Sequence, residues 1–223
     1  MFRDAGQLAQ LIDHTLVRPD ATLDHLAAAC RDARRHRFAA LIVNGWQVSR
    51  TRTELAGSGV RTGAVVGFPH GAGTTTVKIV EAMEAMKNGA EELDIVLNLG
   101  MIRSGRLDLA EIDIKNVIAM TKGVVHKAII ETGALTPEEI GEVSRLAVRS
   151  GAEFIKTSTG YGPRGATVED VRAIRAAVGA TCRIKASGGI RDLASLRSLV
   201  EAGAERIGTS AGPQIMEEFL ALR

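Results

Sequence analysis

Two lysines in otherwise apolar segments are the clearest chemical signal in this chain of 223 residues. Lys156 lies in "EFIKTST" and Lys185 in "RIKASGG". A lysine buried beside a second cation has a lowered pKa, because burial and charge repulsion both disfavour the protonated amine. A neutral amine can attack a carbonyl carbon and form a Schiff base, which a protonated amine cannot do. The two lysines therefore indicate an amine nucleophile.

Asp94, in "ELDIVLN", is a carboxylate that could serve such a nucleophile. A Schiff base withdraws electrons and permits cleavage or formation of the neighbouring carbon–carbon bond. A carboxylate with a water molecule can carry the protons that these steps require. A structural role is the alternative, since a lysine inside a fold usually pairs with a buried carboxylate. Both interpretations of Lys156 and Asp94 stay open at this point.

Eight short apolar segments bounded by turn residues are predicted to be the strands that position these side chains. They comprise residues 11–16, 39–44, 62–68, 92–98, 126–132, 153–159, 183–189 and 205–211. Amphipathic segments between them are predicted to be helices, with Thr136 and Thr167 as N-caps. Gly89, Gly151 and Gly203 stand where helix ends favour glycine, each followed by Ala-Glu and a strand.

This alternation predicts an α/β protein with one domain over residues 1–223, folded as a single (β/α)8 TIM barrel. An open doubly wound sheet is the alternative, but it calls for a glycine-rich loop after the first strand, where the sequence is "DHTLVRPD". In a barrel, the active site lies at the carboxyl ends of the strands. The candidate polar residues there are Asp13, Asp94, Glu131, Lys156 and Lys185.

Glycines after the last two predicted strands indicate a phosphate site. "SGG" (187–189) and "GTSAG" (208–212) leave backbone N–H groups open to an anion, and these two loops often hold phosphate in such barrels. Ordinary turns also need glycine, so the argument depends on the position of these pairs. "TGYGPRG" (159–165) adds amides and Arg164 at the same rim, although Arg164 is equally well explained as a solvated charge.

Composition excludes several classes of function. The net charge is +2 without a basic block and aromatic residues form 3% of the chain, so no nucleic-acid partner is expected. No segment approaches the roughly 18 apolar residues of a membrane helix, so no membrane partner is expected. Cys30 and Cys182 show no motif spacing, which favours free thiols in a reducing, cytoplasmic environment.

Neither a metal nor another cofactor is expected from the sequence. A zinc site needs histidine or cysteine ligands at characteristic spacings, and the histidines show none. They are His14, His25, His36, His70 and His126. Met83 and Met86 recur at helical spacing and are expected in the core.

Six motifs together resemble the deoxyribose-phosphate aldolase family. They are "IDHTL", "VVGFPHG", "EELDIVLN", "FIKTSTGYGPRGAT", "IKASGGI" and "RIGTSAG", and the similarity runs from about residue 8 to residue 220. The resemblance implies a metal-free class I aldolase on a (β/α)8 barrel. Such an enzyme reversibly cleaves 2-deoxy-D-ribose 5-phosphate to acetaldehyde and D-glyceraldehyde 3-phosphate in deoxyribose catabolism. The resemblance also implies a homo-oligomer, either a dimer or a tetramer.

The same resemblance implies roles for individual residues. Lys156 would form the Schiff base, Lys185 would favour its neutral amine and join the proton relay, and Asp94 would act as acid and base with a water. Asp13 would bind substrate hydroxyls or support the lysines. The phosphate would be held by Gly160, Gly188, Gly189 and Ser210.

The chain departs from the family pattern at three places. Ile42 stands where many members have a cysteine, which removes a site of attack by reactive aldehydes without affecting the imine chemistry. Ala211 replaces a frequent serine and so removes one phosphate hydrogen bond, worth about 1 kcal/mol. The C-terminal "FLALR" lacks the tyrosine that assists proton transfer in relatives with longer tails. The alternatives are an aldolase that has drifted to another or an unphosphorylated aldehyde, and a non-catalytic barrel that binds sugar phosphate.

Overall fold

Eight parallel strands close into a barrel in the computed structural model. The structure describes residues 2–222, so Met1 and Arg223, the ends of the predicted domain, lie outside the described residues. The strands are β1 (Ile12–Leu16), β2 (Ala40–Val43), β3 (Arg61–Val66), β4 (Glu92–Val96), β5 (Val125–Ile129), β6 (Phe154–Lys156), β7 (Arg183–Ser187) and β8 (Arg206–Thr209). Each strand pairs with its neighbours in sequence, and β1 pairs with β8 to complete the circle. The predicted (β/α)8 barrel is confirmed.

Helices cover the outside of the barrel. They are α1 (Ala5–Ala9), α2 (Leu23–His36), α3 (Val48–Glu54), α4 (Thr75–Lys87), α5 (Leu99–Arg103), α6 (Leu107–Met120), α7 (Pro137–Arg149), α8 (Val168–Val178), α9 (Leu193–Glu201) and α10 (Gly212–Ala221). Thr136 and Thr167 are N-caps as predicted, since each side-chain oxygen accepts the N–H of the third helical residue. Within residues 2–222, no helix combines the length and the apolar composition that crossing a bilayer requires.

Most of the predicted strands extend too far at their carboxyl ends. The sixth segment, predicted over 153–159, leaves the sheet after Lys156. Its polar side chains bond to the neighbouring strand ends, because Thr157 Oγ1 donates to the Ser187 carbonyl at 3.2 Å and Thr159 Oγ1 donates to Glu131 at 2.5 Å. These bonds turn the residues after the strand into the loops that surround the site.

Alternation along the strands separates two interior regions. In β4, Leu93 and Ile95 face the helices and belong to the main apolar core, whereas Glu92 and Asp94 face the barrel axis. A second, smaller apolar cluster lies inside the barrel on β2 and β3; its members are Ala40, Ile42 and Val65, with Val17 and Phe68 packed against them. The barrel interior is therefore apolar on one side and charged on the other.

The expectation for one helical methionine is wrong. Met83 lies on the outer face of α4 and is 45% exposed, whereas Met86, three residues later, packs against the core. The outer neighbours of Met83, Val77 and Val80, are 58% and 59% exposed. A spacing of three residues therefore marks an apolar surface stripe on this helix as well as its buried face.

Candidate active site

Asp94 joins three lysine amines at the centre of the barrel. Its Oδ2 accepts from Lys156 Nζ and from Lys185 Nζ, each at 2.7 Å, and its Oδ1 accepts from Lys127 Nζ at 2.9 Å. The strand register explains why these side chains are close together. Asp94 lies opposite Lys127 across β4 and β5, and Lys156 lies opposite Lys185 across β6 and β7. The structure thus brings together the three residues that the sequence placed at the reaction centre.

A layer of further ion pairs lies around these residues. Lys127 Nζ contacts Glu92 Oε2 at 2.5 Å and Asp13 Oδ2 at 3.2 Å, and Arg206 bonds to both of these carboxylates. Sequence reasoning missed Glu92, Lys127 and Arg206. Lys127, in "HKAIIET", had the same signal as Lys156, a lysine in an apolar strand, and would have been found by applying that rule to every strand.

The cluster has more positive than negative groups. Three buried carboxylates face four buried cationic side chains, and the exposed Arg61 also contacts Glu92 at 3.2 Å. The carboxylates are Asp13, Glu92 and Asp94, and the buried cations are Lys127, Lys156, Lys185 and Arg206. Excess positive charge in a buried site is unfavourable, and a lysine can relieve it by releasing its proton. The arrangement therefore favours one neutral amine.

Lys185 is the lysine of this cluster whose pKa is lowered. Burial lowers the pKa of this amine to about 8, and repulsion from Lys127 and Lys156 adds to the effect. Asp13 and Asp94 oppose this shift without cancelling it. Near neutral pH, Lys185 can therefore both release and accept a proton.

Lys127 and Asp94 keep their charges. Burial disfavours the charge on Lys127, but the three surrounding carboxylates outweigh it and raise the pKa of this amine. Burial likewise disfavours the charge on Asp94, but the lysines hold the pKa of its carboxyl well below the usual range. Asp94 is thus a permanent anion that fixes the amines in place.

Asp13 lies below the lysines and away from the substrate space. Its side chain is fully buried, contacts Lys185 Nζ at 2.6 Å and bonds to Arg206. It does not line the open cleft described below. Of the two roles expected for Asp13, the geometry favours support of the lysines over contact with substrate hydroxyls, because its carboxylate is occupied by these cations and lies outside the cleft.

A cleft of about 470 Å³ opens above the lysines at the carboxyl ends of β1, β6, β7 and β8. Lys156 lines it, and so do the predicted phosphate residues Gly160, Gly188, Gly189 and Ser210. Within residues 2–222, the backbone N–H groups of these four residues donate to no protein acceptor. The exposed residues Arg18 and Arg191 also line the cleft, although the Arg18 guanidinium is paired with Asp20 at 3.1 Å. Free amides beside cationic side chains suit an anion such as phosphate.

Close contact between glycines shapes this part of the cleft. A Cβ atom on Gly165 would lie 2.0 Å from the Gly188 carbonyl oxygen, so the loops after β6 and β7 touch through their backbones. Gly188 and Gly189 have φ of +89° and +77°, where residues with side chains are strained. Arg164, expected at the same rim, instead pairs with Asp170 on α8.

An apolar wall borders the other side of Lys156. Its ammonium group lies 6.0 Å from the centre of the Phe68 ring, and Tyr161 packs edge-on against that ring at 5.5 Å. Ile42, at the position where many relatives have a cysteine, is fully buried in the small inner cluster with Val65. Lys156 therefore lies between a charged region and an apolar one. In the described part of the chain, no three His, Cys, Asp or Glu side chains are grouped so as to hold a metal ion.

Comparison with known proteins gives a consistent family. A family model described as DeoC/LacD family aldolase matches residues 7–217. A deoxyribose-phosphate aldolase of Thermoanaerobacter sp. (strain X514) is 43% identical over 219 residues, which cover 97% of this chain and 98% of the relative. Another, from Coprothermobacter proteolyticus, is 46% identical over 210 residues, covering 94% and 96%.

Solved structures agree with these relatives. The aldolase QR15 superposes with a TM-score of 0.92 at 40% identity, covering 96% of both chains. The tetrameric deoxyribose phosphate aldolase of Aeropyrum pernix has a TM-score of 0.92 at 30% identity, covering 100% of this chain and 94% of that one.

Proposed function

This chain belongs to the DeoC/LacD aldolase family, and we propose that it is a class I deoxyribose-phosphate aldolase with Lys156 as its nucleophile. One observation carries the assignment of roles: two amines share one carboxylate oxygen, at 2.7 Å each. Lys156 borders the open cleft, whereas Lys185 is fully buried. The accessible amine is the one that a substrate carbonyl can reach.

The reaction begins at the C1 aldehyde of open-chain 2-deoxyribose 5-phosphate. Lys156 attacks C1, water leaves, and an iminium forms. A base removes the proton of the C3 hydroxyl, the C2–C3 bond breaks, and its electron pair passes to the iminium to give an enamine. Glyceraldehyde 3-phosphate leaves. Protonation at C2 and hydrolysis then release acetaldehyde and restore the amine.

Lys185 is the group suited to move these protons. A pKa of about 8 lets it exchange a proton near neutral pH, directly or through a water. Asp94 is a weak base, because the lysines hold its carboxyl pKa well below the usual range. In this proposal Asp94 orients both amines and stabilises their charged forms, a narrower role than the acid–base function expected from the resemblance.

The phosphate binds at the opposite end of the cleft. The free N–H groups of Gly160, Gly188, Gly189 and Ser210 surround it, and Ser210 lies just before the N-terminus of α10. The partial positive charge of a helix N-terminus adds to the attraction. Neither a metal nor a cofactor takes part in these steps.

Trapping of the imine tests this proposal. The protein is incubated with deoxyribose 5-phosphate in the presence of EDTA, reduced with borohydride, and mapped by mass spectrometry. A stable adduct on Lys156 is expected. An adduct on Lys185, or no adduct, would overturn the assignment of roles, and binding without any adduct would indicate a barrel that only binds sugar phosphate.

Ala211 favours a second candidate, an aldolase with reduced preference for phosphorylated substrates. The serine hydroxyl that many relatives offer here is missing, so one hydrogen bond to phosphate is lost. The kcat/KM values for deoxyribose with and without its phosphate separate the two functions. A clear preference for the phosphorylated sugar supports the first function, and equal values support the second.

We further propose that the protein forms a homo-oligomer in a reducing cytoplasm. A relative of the same fold is a tetramer, and the exposed stripe on α4 offers an apolar surface for a second copy. Both cysteines are buried free thiols, which suits a reducing compartment.

A further inference from the structure

Glu131 is a buried carboxylate that the reaction described above does not use. It follows β5, is 3% exposed, and has left-handed backbone angles of φ +53° and ψ +64°. For a residue with a side chain, this conformation costs about 1–2 kcal/mol. Within residues 2–222, its carboxylate forms hydrogen bonds only with Thr159 and has no cationic partner. A buried carboxyl group without a cationic partner, in a strained backbone conformation, needs a reason.

The carboxylate holds the segment that follows β6. Its Oε2 accepts from the Thr159 N–H at 3.2 Å and from Thr159 Oγ1 at 2.5 Å. Thr159 Oγ1 in turn accepts the N–H of Tyr161 at 3.0 Å. Gly162 packs directly on the carboxylate, since a Cβ atom there would lie 2.6 Å from Glu131 Cδ. One acid therefore fixes residues 159–162 through a hydroxyl relay.

The far end of the same loop has its own anchor. Thr132 Oγ1 donates to Asp170 Oδ2 at 2.9 Å, and the Arg164 guanidinium bonds to the same carboxylate and to the Thr132 carbonyl. These bonds attach residues 164–170 to the end of β5. The near part of the loop depends on Glu131 instead, so the two parts can be perturbed separately.

The segment fixed by Glu131 forms one wall of the cleft. Thr159, Gly160 and Tyr161 line it, and Gly160 faces Gly188, since a Cβ atom on Gly160 would lie 3.8 Å from the Gly188 Cα. Gly160 also presents a free N–H group. We propose that Glu131 is a positioning residue that sets the place of the Gly160 amide for the substrate phosphate, an inference that rests on the proposed function.

The two acceptor oxygens of one side chain give this positioning its strength. The carboxylate accepts both the amide and the hydroxyl of Thr159, which leaves that hydroxyl oriented to accept from Tyr161. A glutamine at position 131 has one acceptor oxygen in place of two and adds two N–H donors. It therefore weakens the hydroxyl relay while filling the same space as the glutamate.

Glu131→Gln tests the proposal with two substrates. For deoxyribose 5-phosphate, KM is expected to rise roughly tenfold or more, because leaving a buried hydrogen-bonding group without its partner has an effect of that magnitude, while kcat stays close to that of the wild type. For unphosphorylated deoxyribose, kcat/KM is expected to stay within about twofold of the wild type, as for a surface substitution. Glu138→Gln, which removes one exposed carboxylate from α7, is the matched control and should change neither value.

Thr159→Val tests the same positioning role and replaces Glu131→Gln if that variant folds poorly. It removes the hydroxyl relay and leaves Glu131 in place, so it should produce the same selective rise in KM. The double variant should add little, because both changes break one network. Equal losses on both substrates, or no loss on either, would overturn the positioning role. If the wild-type enzyme does not distinguish the two sugars, the proposed phosphate site is wrong, and this inference is wrong with it.

Discussion

Lys185 and Lys156 are chemically identical side chains that acquire different properties from their positions. Both donate to Asp94 Oδ2, yet Lys185 is enclosed on all sides and Lys156 borders the cleft. Burial among cations makes Lys185 a group that titrates near neutral pH. The proposed roles of Lys156 as nucleophile and Lys185 as proton carrier thus depend on which amine is accessible from the cleft.

The pKa of Lys185 predicts how kcat/KM depends on pH. Burial and the neighbouring lysines lower it from 10.5 to about 8 in the ligand-free protein. Because the neutral amine is the base, kcat/KM should rise as the pH increases through 8 and then level off. Lys185→Met should lower kcat/KM by about 10²–10⁴-fold and abolish the rise. The measurement is kcat/KM for cleavage of deoxyribose 5-phosphate across this range, and a wild-type kcat/KM that falls as pH rises would contradict the prediction.

Lys127 is predicted to affect both stability and the pH profile. Lys127→Met leaves three buried carboxylates short of a cation, which should lower the free energy of unfolding by about 3–5 kcal/mol. It also removes a charge that repels the proton of Lys185, so the pKa of Lys185 increases and the rise in kcat/KM moves to higher pH. Urea unfolding and the pH profile check the two parts. Lys115→Met, on the exposed face of α6, is the control and should change neither.

At the scale of elements, the loops after β6 and β7 are held together by a glycine contact that leaves no space for a side chain. Gly165→Ala would place a Cβ atom 2.0 Å from the Gly188 carbonyl oxygen, so the backbones must separate. The N–H groups proposed to bind phosphate should then lose their arrangement, and KM for deoxyribose 5-phosphate should rise more than KM for deoxyribose. Gly45→Ala is the control, since a Cβ atom there meets nothing within 4 Å. An unchanged KM in Gly165→Ala would mean that the two loops can move apart without affecting the phosphate.

These elements also show what the sequence could predict. Apolar runs and capping residues such as Thr136 identified all eight strands and the barrel, because short-range patterns determine local structure. The ends of the strands were missed, because the residues after Lys156 form bonds with Glu131 and Ser187, which are distant in sequence.

The candidate site was predictable to a similar extent. A lysine within an apolar strand can be recognised from its immediate sequence neighbours, so Lys156 and Lys185 were predicted as site residues. The complete ion cluster requires knowledge of which strands face each other, and Arg206 at the start of β8 contacts Asp13 on β1 only because the barrel closes. Glu131 was recognised as a polar strand end, but its partner Thr159 could not be identified without the loop geometry.

For the whole molecule, the division of the barrel interior places the reacting carbon at a boundary. The charged cluster lies on the side of β4 to β8 and β1, and the apolar wall of Ile42, Val65 and Phe68 lies on the side of β2 and β3. A two-carbon aldehyde attached to Lys156 can face this wall, while its phosphorylated partner extends toward the glycine loops. Desolvation by the wall strengthens the electrostatic effect of the cluster on the opposite side.

The outer surface of the barrel leads to a prediction about assembly. Val77, Val80 and Met83 form an exposed apolar stripe on α4, and such patches on soluble proteins mark contact sites. Val80→Glu should break a contact between copies and yield a particle with the 23.6 kDa mass of one chain in light scattering. Because the cleft is lined from β1 and β6 to β8, the separated chain should retain kcat within about twofold. Leu220→Glu, at a comparably exposed position on α10, is the control. A wild-type protein that is already monomeric, or a Val80→Glu variant that keeps the wild-type mass, would show that the stripe is not the contact between subunits.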